Sequence, residues 1–137
     1  LQEPGKQLRA LGRDDAEHMN YKLINERTGE RIATHVKKAT SALQQGIGLL
    51  GRFSLPADEG IYFPGARSLH MCFMLFSIDV IYVDREMNVV KIVKNLKPWI
   101  GFSMCRSAYG FIELAKGVTT EKDVRVGDHL VLRGPEG

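Results

Sequence analysis

The sequence reads DVIYVD at residues 79–84, REMN at 85–88 and VVKIV at 89–93. Both apolar runs are rich in β-branched residues, and the polar residues between them are typical of a turn. The pattern therefore predicts two neighbouring strands joined by a turn, and it is the strongest strand signal in the chain.

Similar patterns lie on both sides of this segment. Residues 21–24 and 30–36 flank a turn that contains Gly29, which predicts a second hairpin. Residues 69–76 are almost entirely apolar and predict a strand buried on both faces, whereas an irregular segment is expected from residue 97 onward. Three further short strands are predicted at residues 61–63, 109–114 and 129–133.

One window has helical periodicity. Its apolar residues, Ala39, Leu43, Ile47 and Leu50, recur at helical spacing and predict one main short helix near residues 39–50. A single helical turn is also expected over residues 120–126, capped by Thr119 or Thr120. We therefore expect a mostly β fold (α+β by content). It would be a partly open β-barrel or a sandwich of about eight short strands with one main helix.

Length and composition indicate one folded unit. The chain has 137 residues, of which 44% are hydrophobic and 26% are charged. These values exclude disordered and disulfide-dense classes of protein. We expect a single β-rich domain at 19–133 and a tail at 134–137. Residues 1–18 would be a flexible or weakly helical leader, or a segment added ahead of a start at Met19.

Membrane, metal and disulfide signals are weak. The longest strongly apolar run, residues 71–76, is far shorter than the roughly 20 residues of a membrane-spanning helix. The sequence leaves the compartment open: cytoplasmic is the default, and a removed export signal is the alternative. The four histidines show no ligand spacing, so we expect neither a metal nor a cofactor. Cys72 and Cys105 could form a disulfide, but two thiols are the simpler expectation.

Positive charge is concentrated in the body of the chain. Residues 1–18 carry a net charge of −1, and residues 19–133 carry +5. A basic body can attract anionic partners, so weak binding of anionic polymers is one hypothesis. Lysines and arginines are not interleaved with aromatic residues, however, which disfavours a nucleic-acid surface.

Several short motifs together resemble the family called domain of unknown function one hundred and ninety-two. They occur in the family's order across roughly residues 22–132. The motifs are GLLGR at 48–52, LP at 55–56, GIYF at 60–63, DVIYVD at 79–84, VV at 89–90, Pro98, IELAKG at 112–117 and VGD at 126–128. The resemblance implies a small β-rich fold with one helix, and it implies no activity.

One motif departs from the family pattern. Where the family usually has Trp-Met-Lys-Asn-Thr, this chain has HMCFM at residues 70–74. The apolar residues that replace the Asn-Thr pair put in doubt any function that rests on that pair. The histidine suggests a variant subgroup.

Three residues are candidates for catalysis. If residues 69–76 and 79–84 form a tight hairpin, His70 lies opposite Asp84, and a carboxylate beside an imidazole is half of a general-base arrangement. Glu113 is an alternative acid, because it is the lone carboxylate in an apolar strand. The first alternative function is therefore a small hydrolase-like enzyme. Since no nucleophile motif accompanies these residues, a structural histidine is the simpler interpretation.

Asp79 and Asp84 do not form a catalytic pair on this pattern. Their odd separation along one strand directs them to opposite faces. We expect each of them to accept hydrogen bonds from backbone amides, Asp79 at the start of the strand and Asp84 at the turn.

Our leading hypothesis is a non-catalytic β-barrel-like binding or interaction module, with a small molecule or a protein as its partner. Trp99 lies in a loop, where aromatic side chains often form recognition surfaces. Arg52 could bind an anion or pair with Glu113. The candidate binding residues are Arg52, His70, Asp79, Trp99 and Glu113.

Overall fold

A computed structural model describes residues 20–39, 54–71 and 74–135. The predicted leader, the predicted helix near residues 39–50, Arg52 and Cys72 lie outside these ranges. The described residues form nine strands and one helical turn. They are β1 (Tyr21–Asn25), β2 (Arg31–Lys38), β3 (Glu59–Pro64), β4 (Ser68–His70), β5 (Ile78–Val83), β6 (Val89–Leu96), β7 (Phe102–Met104), β8 (Gly110–Ala115), α1 (Val118–Glu121) and β9 (Leu130–Arg133).

Seven strands form one sheet in the order β6-β5-β8-β3-β2-β1-β9, and β4 pairs with β7 in a separate two-stranded ribbon. The β5–β6 and β1–β2 hairpins are both present, as the sequence predicted. All pairs are antiparallel except β2 with β3. A parallel pair requires a crossover connection, and residues 39–58, where most of the predicted main helix falls, connect these two strands.

The sheet curls so that its two edge strands meet at one end. Backbone bonds join the start of β6 to the start of β9: the Val89 amide donates to the Asp128 carbonyl at 2.8 Å, and the Leu130 amide donates to the Met87 carbonyl at 2.9 Å. Asn88 and His129 form an isolated antiparallel bridge at the same place. This contact makes a curled half-barrel, confirming the predicted partly open barrel, and leaves fewer edge groups unpaired.

The sheet has an apolar core on each face. On β5, Ile81 and Val83 contribute to one cluster, whereas Val80 and Tyr82 contribute to the other, as strand alternation requires. Leu69 of the ribbon packs in the second cluster, so the ribbon covers that face. Every residue of β5 and of β8 is buried.

The predicted strand at 69–76 is wrong in extent. Strand β4 ends at His70, because the Met71 amide donates to the Gly101 carbonyl and the Met71 carbonyl accepts from the Trp99 amide. Leu75 is exposed. The partner of β4 is β7, which forms within the segment predicted to be irregular.

The predicted helical turn at 120–126 begins earlier, at Val118. Neither Thr119 nor Thr120 caps it; Gly117, with φ 89°, occupies the N-cap position without a side-chain bond. The hydroxyl of Thr119 is instead directed to Asp79, which explains the difference. No helix in the described ranges is long and apolar enough to cross a membrane.

Candidate functional site

The ribbon turns one of its faces to solvent. His70 and Phe102 are register partners, and their ring centroids lie 4.9 Å apart. Met104 lies two residues beyond Phe102 and therefore shares its face, where it is exposed. Leu69 and Ser103 alternate with these residues and are buried against the sheet.

The loop between β6 and β7 extends this exposed face. Trp99 is 53% exposed and Ile100 is 86% exposed. The Trp99 amide donates to the Met71 carbonyl at 2.7 Å, which holds the loop against the end of β4. Trp99 has φ 67°, in the left-handed region that L-residues rarely adopt. We call the side chains of His70, Trp99, Ile100, Phe102 and Met104 the aromatic surface.

Exposed apolar residues concentrate in this part of the molecule. Six large apolar side chains are exposed among the described residues, and four of them lie within residues 99–104. These four are Trp99, Ile100, Phe102 and Met104, and the other two are Leu75 and Val126. Single exposed apolar residues are ordinary, whereas a concentration of them marks an interaction surface.

Glu113 lies on the sheet face that the ribbon covers. It is the register partner of Ile61 on β3 and of Val80 on β5, and it is 7% exposed. Its Oε2 has no hydrogen-bond partner within the described ranges. Burial raises the pKa of the Glu113 carboxyl to about 8. This carboxyl is therefore mostly protonated at neutral pH and can donate a hydrogen bond or a proton.

Two hydroxyl groups share this interior with Glu113. The Tyr82 hydroxyl and the Ser103 hydroxyl are also buried without partners in the described part of the chain. Burial raises the pKa of the Tyr82 phenol, the neighbouring Ser103 hydroxyl lowers it in part, and the charges of Cys105 and Glu113 raise it further. Glu113, Tyr82 and Ser103 thus place three polar groups in one largely apolar interior, where buried polar groups are normally hydrogen-bonded.

Asp79 is fully buried, and its carboxylate is occupied by the protein itself. Oδ1 accepts from the Asn95 amide at 3.0 Å. Oδ2 accepts from the Thr119 amide and hydroxyl at 3.1 and 2.6 Å. The expected backbone bonding is confirmed, and these contacts leave Asp79 a structural role rather than a surface one.

Asp84 likewise stabilises its own turn. Its carboxylate accepts from the Glu86 and Asn88 amides at 3.0 and 2.8 Å. The predicted hairpin that would place His70 opposite Asp84 does not form, because β4 pairs with β7 while β5 pairs with β6 and β8. His70 faces solvent, and no hydrogen bond joins it to Asp84 or Glu113 among the described residues.

Arg52 lies outside the described residues, and so does its predicted pairing with Glu113. Cys105 is half-buried with a free thiol, and its Sγ lies 3.4 Å from the Ser107 hydroxyl. The described ranges contain no group of three His, Cys, Asp or Glu residues that could hold a metal ion. The sequence reasoning identified Trp99 but missed Ile100 and Phe102 as exposed partners. The available signal was the clustering of large apolar residues around Gly101.

A family model matches most of the chain. Residues 23–132 match the family DUF192, described as an uncharacterised ACR. A UPF0127 protein of Pyrococcus furiosus is 30% identical over 115 residues, covering 79% of this chain and 95% of the relative. A UPF0127 protein of Pyrococcus horikoshii is 32% identical over 116 residues, covering 79% and 96%.

Two solved structures share the fold. A protein of unknown function from Novosphingobium aromaticivorans has a TM-score of 0.72 at 19% identity, covering 85% of this chain and 96% of its own. A protein from Sinorhizobium meliloti, described as a candidate transcription regulator, has a TM-score of 0.71 at 22% identity, covering 83% and 92%. At these identities the likeness concerns the fold alone.

Proposed function

We propose that this chain, which belongs to the DUF192 family, is a non-catalytic interaction module that binds a protein partner through its aromatic surface. The observation that carries the proposal is the concentration of exposed apolar side chains on the ribbon and the adjoining loop. Large exposed apolar patches are uncommon on monomeric proteins and mark interaction sites.

The composition of the aromatic surface favours a protein partner. It combines Trp99, Phe102 and Met104 with Ile100 and His70, and Lys91 lies at its edge, where its Nζ donates to the Met104 carbonyl at 2.9 Å. Aromatic residues and methionine are enriched in the cores of protein interfaces, whereas lysine, glutamate and aspartate are depleted there. Tryptophan in particular is enriched among the residues that carry most of the binding energy.

The backbone beneath the aromatic surface is held in place before any partner binds. The Met71 amide and carbonyl bond to Gly101 and Trp99 on the neighbouring loop, at 2.8 and 2.7 Å. A Cβ on Gly101 would lie 2.3 Å from the Lys97 carbonyl oxygen, so the loop is closely packed. A loop that is already ordered loses less conformational entropy on binding.

The hydrolase-like alternative has less support. It requires the His70 side chain to lie within hydrogen-bond distance of Asp84 or Glu113, but the three side chains lie in separate places. His70 lies on the exposed face of the ribbon, Glu113 lies beneath the ribbon, and Asp84 bonds within its own turn. We therefore assign His70 to the binding surface rather than to catalysis.

Site-specific photo-crosslinking in the source organism would identify the partner. A photoreactive phenylalanine analogue replaces Phe102 in one variant and Val126 in the matched control, because Val126 is the exposed apolar residue that lies elsewhere. The proposal requires a protein adduct at position 102 that is absent at position 126. Equal adducts at both positions, or only chain-to-chain adducts at 102, would contradict it.

Affinity for the identified partner would then be measured by fluorescence. Trp99 is the single tryptophan of the chain, so the chain's own tryptophan emission comes from this surface, and a titration without the chain corrects for emission from the partner. Ile100→Ser should weaken binding about tenfold or more if Ile100 is a central contact. Val126→Ser should leave the affinity unchanged. If the two variants changed the affinity equally, the aromatic surface would not be part of the binding interface.

A further inference from the structure

A pocket of about 250 Å³ lies at the end of the ribbon away from Trp99. Three arginines line it: Arg67 directly precedes β4, Arg85 lies in the turn between β5 and β6, and Arg106 follows β7. The hydroxyl-bearing residues Ser107 and Tyr109 also contribute to its wall. The pocket thus collects positive charge from three separate connections.

Backbone bonds hold these connections together. The Cys105 amide donates to the Arg67 carbonyl at 2.8 Å, which joins the connections before β4 and after β7. The Tyr109 amide donates to the Val83 carbonyl at 2.8 Å, which joins the approach to β8 to the turn that carries Arg85. The three arginines therefore extend from a common backbone framework.

The positive charge of the pocket is incompletely neutralised. Within residues 20–39, 54–71 and 74–135, no carboxylate lies within ion-pair distance of Arg67, Arg85 or Arg106. Asp84 borders the pocket, but its oxygens accept hydrogen bonds from Glu86 and from Asn88. Glu86 also borders it, so three guanidinium groups face two carboxylates.

The Arg85 guanidinium is oriented by an aromatic ring. Its Cζ lies 4.5 Å from the centroid of the Tyr109 ring. Such stacking restricts the guanidinium while leaving its N–H groups free to donate at their edges. An arginine held in this way is suited to recognition of a planar or tetrahedral oxyanion.

We infer that this pocket binds the phosphate group of a small phosphorylated molecule, with Arg67, Arg85 and Arg106 as donors to its oxygens. A phosphate monoester carries close to two negative charges at neutral pH and offers three acceptor oxygens. A carboxylate ligand carries only one negative charge, so a phosphate neutralises three arginines more fully than a carboxylate does. The Ser107 hydroxyl provides a further donor on the wall of the pocket.

The pocket shares no lining residue with the aromatic surface, although Met104 lies near it at the same end of the ribbon, so this inference does not depend on the proposed function. Its ligand is recognised by charge and hydrogen bonding, whereas the protein partner is recognised through apolar contact. Loss of Ile100 should leave phosphate binding intact.

Inorganic phosphate and O-phosphoserine are the probes, with acetate as a carboxylate comparison, all titrated at constant ionic strength. Amide NMR shifts are followed at Arg85, Ser107 and Tyr109. Arg67→Gln and Arg106→Gln should each weaken phosphate binding about tenfold, because each removes a charge-assisted donor. Arg106→Lys keeps the charge but loses the planar fork, so it should bind at an intermediate strength.

Arg133→Gln on β9 is the matched control, since it removes the same charge from an exposed position outside the pocket. Its phosphate affinity should equal that of the unmodified chain. Equal weakening by Arg133→Gln and Arg67→Gln would show general charge attraction and overturn the inference. So would acetate binding as strong as phosphate binding, or the absence of saturable shifts with both phosphate probes. Melting temperatures of all variants verify that each is folded.

Discussion

Asp79 on β5 accepts two hydrogen bonds from Thr119 of α1, one from its backbone amide and one from its hydroxyl. The same carboxylate accepts the amide of Asn95, which has φ 55° near the end of β6. Asp79 thereby joins three segments that are distant in sequence. It fixes the start of the helical turn and the end of the longest hairpin.

Replacing Asp79 by alanine should destabilise the fold strongly, because three donors lose their acceptor in a buried place. We expect a loss on the order of 3 kcal/mol in the free energy of unfolding, measured by urea denaturation. Thr119→Val removes one of the three bonds and should cost about 1 kcal/mol. Thr120→Val, at the exposed neighbouring position, is the control and should have little effect. Equal losses in the two threonine variants would refute the role of the Thr119 hydroxyl.

Glu113 should make stability decrease as pH rises. Burial raises the pKa of its carboxyl to about 8 in the folded chain, from an ordinary value of 4.5. The folded state is most stable, as far as Glu113 is concerned, below pH 4.5, where the carboxyl is protonated in both the folded and the unfolded chain. This stability is lost progressively up to about pH 8, because the unfolded state releases the proton first. At about 1.4 kcal/mol per pH unit, the loss is on the order of 5 kcal/mol across this window.

Glu113→Gln tests this pH dependence. The amide is uncharged at all these pH values, so the slope between pH 4.5 and 8 should flatten in the variant. Urea midpoints across the range measure it, with exposed Glu121→Gln as the control that keeps the slope. An unchanged slope in Glu113→Gln would mean that this carboxyl ionises normally in the fold.

Asp128 should make the stability of the fold decrease as pH falls, which is the opposite of the effect of Glu113. Burial alone would raise its pKa, but hydrogen bonds from Arg27, the Arg125 amide and Asn25 outweigh burial and lower that pKa to about 2. This stabilisation is present above about pH 4 and is lost as pH falls through 2. Arg27→Gln should therefore reduce stability at pH 6 and reduce the loss on acidification, measured by thermal unfolding. Arg133→Gln should change neither, and an effect of equal size there would assign the change to net charge.

Gly101→Ala should displace the loop that carries Trp99. An added Cβ would lie 2.3 Å from the Lys97 carbonyl oxygen and 2.7 Å from the Met71 side chain, so the backbone must move. Trp99 fluorescence should shift, and the melting temperature should fall. Gly134→Ala is the matched control, because its Cβ would make only an ordinary contact at 3.5 Å with Tyr21. Identical spectra for the two variants would exclude the close packing at Gly101.

The sheet was largely predictable because its signals are local. The β5–β6 and β1–β2 hairpins each combine β-branched runs with turn residues, so neighbouring residues determine them. The ribbon was not predictable in this way. Strands β4 and β7 have three residues each and are separated by more than thirty residues, so only the assembled core determines their pairing. The assumed hairpin between residues 69–76 and 79–84 failed for that reason.

The candidate site residues also differ in whether local sequence or only tertiary contact identifies them. Trp99 was visible in the sequence as an aromatic residue in a loop, and Glu113 as an acid in an apolar strand. The arginines at 67, 85 and 106 carry no common motif, because tertiary contacts between separate connections bring them together. The interpretation of His70 depended on strand register, which a sequence alone does not determine when one strand is this short.

The pairing of β1 with β9 has a kinetic consequence. Lys22 and Arg133 are register partners although more than one hundred residues separate them, so this contact forms only after a large loop has closed. Proteins dominated by such long-range pairings fold in roughly milliseconds to seconds. We expect the local hairpins to form first and the β1–β9 contact to form among the last steps. An intermediate with an unpaired β1 edge would then be the species most exposed to misassembly during folding.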